Sequence, residues 1–77
     1  MNKNANLHGY KVKEIRYPYG IYKLAQPTVI NDEGSFYRID GTHIIDKFRI
    51  KKITPKDNTI ILEMKDHTDI LLTVVIK

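Results

Sequence analysis

The sequence predicts an all-β fold, a small two-sheet sandwich or a partly open barrel of about six short antiparallel strands. β-Branched residues are abundant, with 12 isoleucines against two alanines, and such residues favour strands over helices. The apolar residues come in short runs separated by Gly, Pro, Asn and Asp, without the 3.6-residue spacing of an amphipathic helix. A chain of 77 residues is long enough for one domain, in which the apolar faces of the strands must pack against one another.

The individual elements follow from the turn residues. Residues 1–8 are predicted to be a disordered tail, and residues 9–77 a single small β domain. Proline and glycine mark a turn at 17–20, an Asp-Glu-Gly hairpin is expected at 32–34, and further turns fall at 40–41, 55–58 and 65–68. Pro27 is expected to begin a strand or to lie on an edge. The predicted strands are 10–16, 21–25, 28–31, 35–39, 43–45, 47–54, 59–64 and 69–76.

Two six-residue stretches resemble each other. Residues 10–15 and 48–53 both read aromatic, basic, aliphatic, basic, charged, isoleucine. In each stretch the closing isoleucine is out of phase with the first aliphatic residue, and a β-bulge would return it to the core side. The similarity indicates either an ancient duplication of a three-stranded unit or two unrelated basic amphipathic strands.

Strand alternation also predicts a core. Its expected members are Val12, Ile15, Ile21, Leu24, Val29, Phe36, Ile39, Ile44, Phe48, Ile50, Ile53, Ile61, Leu71 and Val75.

The residue types argue against catalysis. The chain has no cysteine, which excludes thiol chemistry, thiolate metal sites and disulfides. Ser35 is the only serine and lies beside a predicted turn, and the three histidines fall in separate loops or the tail. Asp66, His67 and Asp69 share one turn, where such residues usually serve local hydrogen bonding. We therefore expect no enzyme activity, no cofactor, no metal and no small-molecule substrate.

A binding role is predicted instead. The net charge of +4 permits attraction to nucleic acid or to acidic protein surfaces without requiring either. If the strands at 10–16 and 47–54 lay side by side, five cations would share a face bordered by tyrosines. The predicted binding surface comprises Lys11, Lys13, Arg16, Tyr17, Tyr19, Tyr22, Lys47, Arg49 and Lys51.

Three functions remain open from the residues. The first is a protein–protein interaction module, an adaptor or assembly component that binds through an exposed edge strand and a tyrosine-rich rim. The second is a small basic barrel that binds single-stranded nucleic acid, with bases stacking on tyrosines. The third is a phage- or plasmid-encoded inhibitor of a larger enzyme. No apolar run approaches the roughly 20 residues of a membrane helix, so membrane insertion is not expected. As written the chain is expected in the cytoplasm, or in the periplasm if it derives from a longer exported protein.

Residues 36–41, 45–53 and 59–63 carry a resemblance to a known family. They form an aromatic-led strand, a glycine turn, a strand closing on isoleucine, a short turn and a strand ending on Leu-Glu. This pattern, spread over residues 29–76, resembles the periplasmic homology domain of type II secretion clamp proteins and of the type IV pilus lipoproteins that dock on secretins. The resemblance implies a two-sheet sandwich without catalytic residues that binds the first periplasmic domain of a secretin through strand edges. The first 28 residues have no counterpart in that pattern.

Overall fold

A computed structural model describes residues 7–75 and confirms the all-β class. The described residues contain no α-helix, and their one helical turn is a 3₁₀ helix, η1. Seven strands form one antiparallel sheet curled into a half-barrel, so the partly open barrel is the correct one of the two predicted architectures. The elements are β1 (Lys11–Tyr17), β2 (Gly20–Asp32), β3 (Phe36–Ile39), β4 (His43–Asp46), η1 (Lys47–Arg49), β5 (Ile50–Lys56), β6 (Thr59–Met64) and β7 (Ile70–Val74).

The strand order explains where the half-barrel is open. The order across the sheet is β4-β3-β2-β1-β7-β6-β5, and every neighbouring pair is antiparallel. Strands β4 and β5 are therefore the two edges and run in the same direction. The chain passes from one edge to the other through η1, which is only three residues long. The strand predicted over 47–54 therefore begins only at residue 50, because residues 47–49 form η1.

Both predicted β-bulges are present. The pairing of β1 with β7 shifts between Val12 and Glu14, and the pairing of β5 with β6 shifts between Ile50 and Lys52. The first bulge places both Val12 and Ile15 in the core, where neither is exposed to solvent. A bulged strand supplies one extra residue, which corrects the phase of the following side chains.

Strand β2 joins two strands that the sequence predicts as separate. Across β1, Val12 lies opposite Thr28 whereas Glu14 lies opposite Lys23, so residues 24–27 protrude from the ladder. Pro27 lies in this protrusion, where its missing N–H breaks no ladder hydrogen bond. Beyond it, residues 30–32 of β2 pair with β3.

The core lies on the concave face of the sheet, and part of its predicted membership is wrong. Of the predicted residues, Val12, Ile15 and Ile39 are buried, Leu24, Phe36, Ile50, Ile53, Ile61 and Leu71 are half-buried, and Ile21, Val29, Ile44, Phe48 and Val75 are exposed. The remaining buried residues are Leu7, Ile30, Tyr37, Ile45, Ile60, Leu62, Met64, Ile70, Leu72 and Val74. Strands β6 and β7 carry apolar side chains on both faces, so alternation could not fix which face turns inward. Phe48 is 72% exposed because it lies in η1 and not in a strand.

The folded domain includes the end of the predicted tail. Leu7 is fully buried against the core, and the Gly9 N–H donates to the Ile30 carbonyl at 3.0 Å. The His8 ring nitrogen Nδ1 accepts a hydrogen bond from the Asp32 N–H at 3.1 Å. Residues 7 and 8 therefore belong to the domain, whereas the rest of the predicted tail, 1–6, and the last two residues lie outside the described part of the chain.

Candidate functional site

A groove of about 390 Å³ opens along the free edge of β4. We call it the edge groove. One wall is the chain from Thr42 to Asp46, which includes the whole of β4. The other lining residues are Tyr17, Tyr19, Arg49, Met64, Thr68 and Ile70. The groove thus lies at the seam of the half-barrel, between the β4 edge and the hairpin that joins β6 to β7.

Three tyrosines and a histidine form an aromatic cluster at one end of the groove. The rings of Tyr17 and Tyr19 stack with centroids 5.1 Å apart and an interplanar angle of 6°. Tyr22 meets Tyr17 edge-on at 5.7 Å and His43 edge-on at 4.9 Å. The Tyr17 hydroxyl and His43 Nδ1, 3.1 Å apart, share a hydrogen bond. The tight β1–β2 turn, in which Tyr17 pairs with Gly20, brings the three tyrosines together.

The cluster differs in exposure from centre to rim. Burial raises the pKa of the Tyr17 phenol, and the nearby Tyr19, Tyr22 and Asp40 raise it further. Tyr19 is 79% exposed and forms the outer lip. An aromatic surface that is held rigidly on one side and open on the other is suited to pack against a partner, as tyrosines do in protein interfaces.

The β4 edge offers unpaired backbone groups to the groove. The Lys47 N–H donates to the Ser35 carbonyl at 3.1 Å, in line with the β3–β4 ladder. Because hydrogen-bonded pairs alternate along an antiparallel ladder, His43 and Ile45 bond to β3, and Ile44 turns its N–H and C=O away from β3. Among residues 7–75, no strand lies beside β4 on that side. The Ile44 side chain is itself 53% exposed.

The opposite edge of the sheet is protected. Strand β5 contains Lys51, Lys52 and Lys56, a bulge next to Lys51, and Pro55, which has no N–H to donate. Lysines, prolines and bulges on an edge strand prevent it from pairing with other chains. Strand β4, with the sequence His-Ile-Ile-Asp, has no lysine, proline or bulge, and its only protection is that it is short. Of the two edges of the sheet, β4 is therefore the less protected.

The five-cation face expected from the sequence does not form. Strands β7 and β6 separate β1 from β5, so Lys11 and Lys13 are not beside Lys51. Lys47 and Arg49 lie in η1. The side chain of Lys47 bonds the Asp32 carboxylate at 2.6 Å and sits 4.8 Å from the centre of the Tyr37 ring.

Acidic groups in the turns compensate the two cations of η1. Arg49 pairs with Asp66, whose carboxylate also accepts hydrogen bonds from the Thr68 N–H and hydroxyl. These bonds, those from Thr68 above all, lower the pKa of Asp66 to about 2. The hydrogen bond from Lys47 likewise lowers the pKa of the Asp32 carboxyl. Both cations are therefore ion-paired within the fold, which reduces their attraction for phosphate.

The predicted surface residues thus separate into groups. Tyr17, Tyr19 and Tyr22 are brought together, but without the cation face that they were expected to border, and Arg49 lines the edge groove with Tyr17 and Tyr19. Lys11, Lys13, Arg16 and Lys51 lie elsewhere on the sheet and are exposed. The sequence argument missed His43 as a partner of the tyrosines, since 26 residues separate it from Tyr17 and no pattern links the two. Among residues 7–75, no group of three or more His, Asp or Glu side chains could hold a metal ion.

Comparison with protein-family models, with curated proteins and with solved structures found no match to this chain. The resemblance to secretin-docking domains therefore stays an expectation. Within the described residues no helix is long and apolar enough to cross a membrane.

Proposed function

We propose that this protein is a non-catalytic interaction module that takes an extended segment of a partner protein into the edge groove, as an added strand beside β4. The observation that carries the proposal is the position of the unpaired β4 edge, which forms one wall of a groove whose rim is the Tyr17–Tyr19 stack. In strand addition, main-chain hydrogen bonds supply affinity and the pockets for alternate side chains supply specificity.

The dimensions define the ligand. Strand β4 has four residues, so the paired part of the partner spans about 13 Å at roughly 3.3 Å per residue. Its alternate side chains enter the groove, where Ile45, Met64 and Ile70 are apolar. A segment with apolar residues at every second position, and an aromatic or aliphatic one against Tyr19, fits this lining.

The other two functions relate to this proposal in different ways. An inhibitor of a larger enzyme would be a special case of it, in which the partner is the enzyme. Nucleic-acid binding loses its main support, because the cations of β1 and β5 do not share a face and Lys47 and Arg49 are ion-paired.

The test is a selection from a displayed library of random 12-residue peptides. We expect wild-type protein to enrich peptides with apolar residues at alternate positions. The variant Ile44→Pro should bind the enriched peptides with an affinity more than about tenfold lower, since the proline removes the outward N–H and blocks the approach of a partner strand. It should still fold, because that N–H makes no bond to β3 and prolines are tolerated on edge strands.

Ile44→Thr is the matched control, because it keeps the N–H and a β-branched side chain. It should retain most of the binding. Enrichment of peptides that bind Ile44→Pro as well as wild type would contradict strand addition at β4. A labelled single-stranded oligonucleotide that bound at physiological salt, and lost affinity in the double variant Lys11→Glu/Arg49→Glu, would favour nucleic acid instead.

A further inference from the structure

The convex face of the sheet carries a row of side chains that no part of the described chain covers with another layer. The register aligns Ile21 with Arg16, Arg16 with Leu71 and Leu71 with Ile61, across β2, β1, β7 and β6. Directly opposed residues of a sheet share one face, and this face is opposite to the one that holds the buried Ile15 and Leu72. We call these four residues the outer row.

Three of the four side chains in the outer row, Ile21, Leu71 and Ile61, are apolar, and Arg16 lies between Ile21 and Leu71. Antiparallel sheets with one wet face alternate between apolar and polar positions, and strands covered on both faces read as continuous apolar runs. Residues 60–62 in β6 and residues 70–72 in β7 are such runs, and these two strands lie between β1 and β5. Ile61 and Leu71 are half-buried and lie directly opposite each other, whereas Ile21 is 51% exposed. The convex face therefore presents one row with three apolar side chains, beside a polar row that contains Glu14, Thr73 and Thr59.

Most of the charged side chains on the strands of this face are positive. Strands β1, β2 and β5 contain seven cations, Lys11, Lys13, Arg16, Lys23, Lys51, Lys52 and Lys56, and all are exposed. None of these seven takes part in the ion pairs found among residues 7–75. The carboxylates on these strands and on β6 and β7 are only three: Glu14 opposite Lys23, Glu63 opposite Lys52, and Asp32, which is paired with Lys47. Most other acids lie in the turns.

We propose that this convex face is a second docking surface, which takes an acidic amphipathic helix of a partner protein. The apolar stripe of the helix packs on Ile21, Leu71 and Ile61. The carboxylates that flank this stripe meet Arg16 within the outer row and two lysines, Lys23 and Lys56, in the neighbouring row. These lysines are the two ends of that row, in which Lys23 lies opposite Glu14 and Lys56 lies opposite Thr59. The apolar side chains between the cations distinguish this ligand from a bare polyanion, which would gain nothing from them.

The length of the row fits a helix of two to three turns. With strands about 4.8 Å apart, the three steps from Ile21 to Ile61 span about 14 Å along the sheet. An apolar stripe at i, i+3, i+7 and i+10 covers about 15 Å at a rise of 1.5 Å per residue. The convex face does not include the β4 edge. A protein that bound one partner on its convex face and another in its edge groove would be an adaptor.

The experiment uses a fluorescein-labelled synthetic 18-residue peptide with leucines along one helical stripe and glutamate at the other positions. Its binding to the full chain is followed by fluorescence anisotropy at low and at physiological salt. We expect it to bind at least about tenfold more tightly than a scrambled peptide of the same composition. The double variant Ile21→Thr/Leu71→Thr should lose about tenfold in affinity, and Lys23→Gln/Lys56→Gln should weaken binding and flatten its salt dependence.

The control variant Ile44→Pro should leave this binding unchanged, so a failure here is separate from a failure at the edge groove. Circular dichroism checks that each variant is folded, and Ile21→Thr alone decides the case if the Leu71 change unfolds the domain. Equal binding of the scrambled peptide, or undiminished binding by the Ile21 variants, would overturn the proposal. So would an 18-nucleotide thymidine oligonucleotide that bound with the same residue dependence, since the surface would then take nucleic acid.

Discussion

Truncation of Leu7 to alanine tests whether the domain begins before residue 9. The Leu7 side chain is 0% exposed and packs with the core, and its carbonyl accepts a hydrogen bond from the Tyr10 N–H at 3.3 Å. Replacing a buried leucine by alanine costs about 2–5 kcal/mol, depending on how far the site collapses. Because Leu7 precedes the first strand, where the backbone can relax, we expect Leu7→Ala to lower the free energy of unfolding by about 2–3 kcal/mol.

That loss is large for a domain of this size. A 77-residue chain is expected to have an unfolding free energy of about 4–12 kcal/mol, at roughly 0.05–0.15 kcal/mol per residue. With a urea m-value of about 1 kcal/mol/M, as for small domains, the unfolding midpoint of Leu7→Ala should fall by about 2–3 M. Equilibrium urea unfolding followed by circular dichroism measures it.

Ile44→Ala serves as the matched control, because this isoleucine is exposed and should cost less than about 0.5 kcal/mol. A midpoint for Leu7→Ala no lower than that of Ile44→Ala would refute the placement of Leu7 in the core. The domain would then begin at residue 9, as the sequence predicts.

Three further predictions concern the turns and the aromatic cluster. The lowered pKa of Asp66, about 2 against 3.8 ordinarily, means that its carboxylate stabilises the fold above pH 3.8 and that this stability is lost as the pH falls through about 2. Thermal melts in this range should therefore fall less steeply for Asp66→Asn than for wild type, and equal slopes would contradict the assignment. Because burial raises the pKa of Tyr17, an ultraviolet titration should show a tyrosinate component above pH 10 that is missing in Tyr17→Phe. Gly34 has a φ of +103° with nothing within 4 Å of an added Cβ, so Gly34→Ala should cost about 1–2 kcal/mol through the backbone alone. Gly20→Ala, at a glycine of ordinary φ that also has open space around it, should change the urea midpoint little, and equal effects of the two would count against this account.

The local chemistry of the chain was readable in several places. The turn at 32–34 follows from Asp32, whose carboxylate accepts the Gly34 N–H at 2.9 Å, and from a glycine that tolerates a positive φ. The bulges in β1 and β5 were predicted from the phase of Ile15 and Ile53, because a residue three positions from its apolar neighbour needs one extra residue to face the same side. Such features depend on a few consecutive residues.

The sequence did not indicate which residues of β6 and β7 face the core. Ile60, Ile61 and Leu62 are all apolar, and a shift of one residue exchanges the two faces of a strand. Glu63 is the one charged residue within β6, and it correctly indicates the outer face for Ile61, although the predicted core placed Ile61 inside. Residues apolar on both faces hide the phase of a strand, and in this protein they also mark the outer row.

The sequence by itself determined the all-β class, most turn positions, both bulges and the closeness of Tyr17, Tyr19 and Tyr22, since all of these depend on short-range spacing. Only the tertiary structure decided the strand order, and with it which edge is free and which cations are neighbours. Loop closure brings Tyr17 to His43 and the β4 edge to the β6–β7 hairpin, and contacts between residues so distant in the chain leave no local pattern. The edge groove therefore exists only once the sheet has curled.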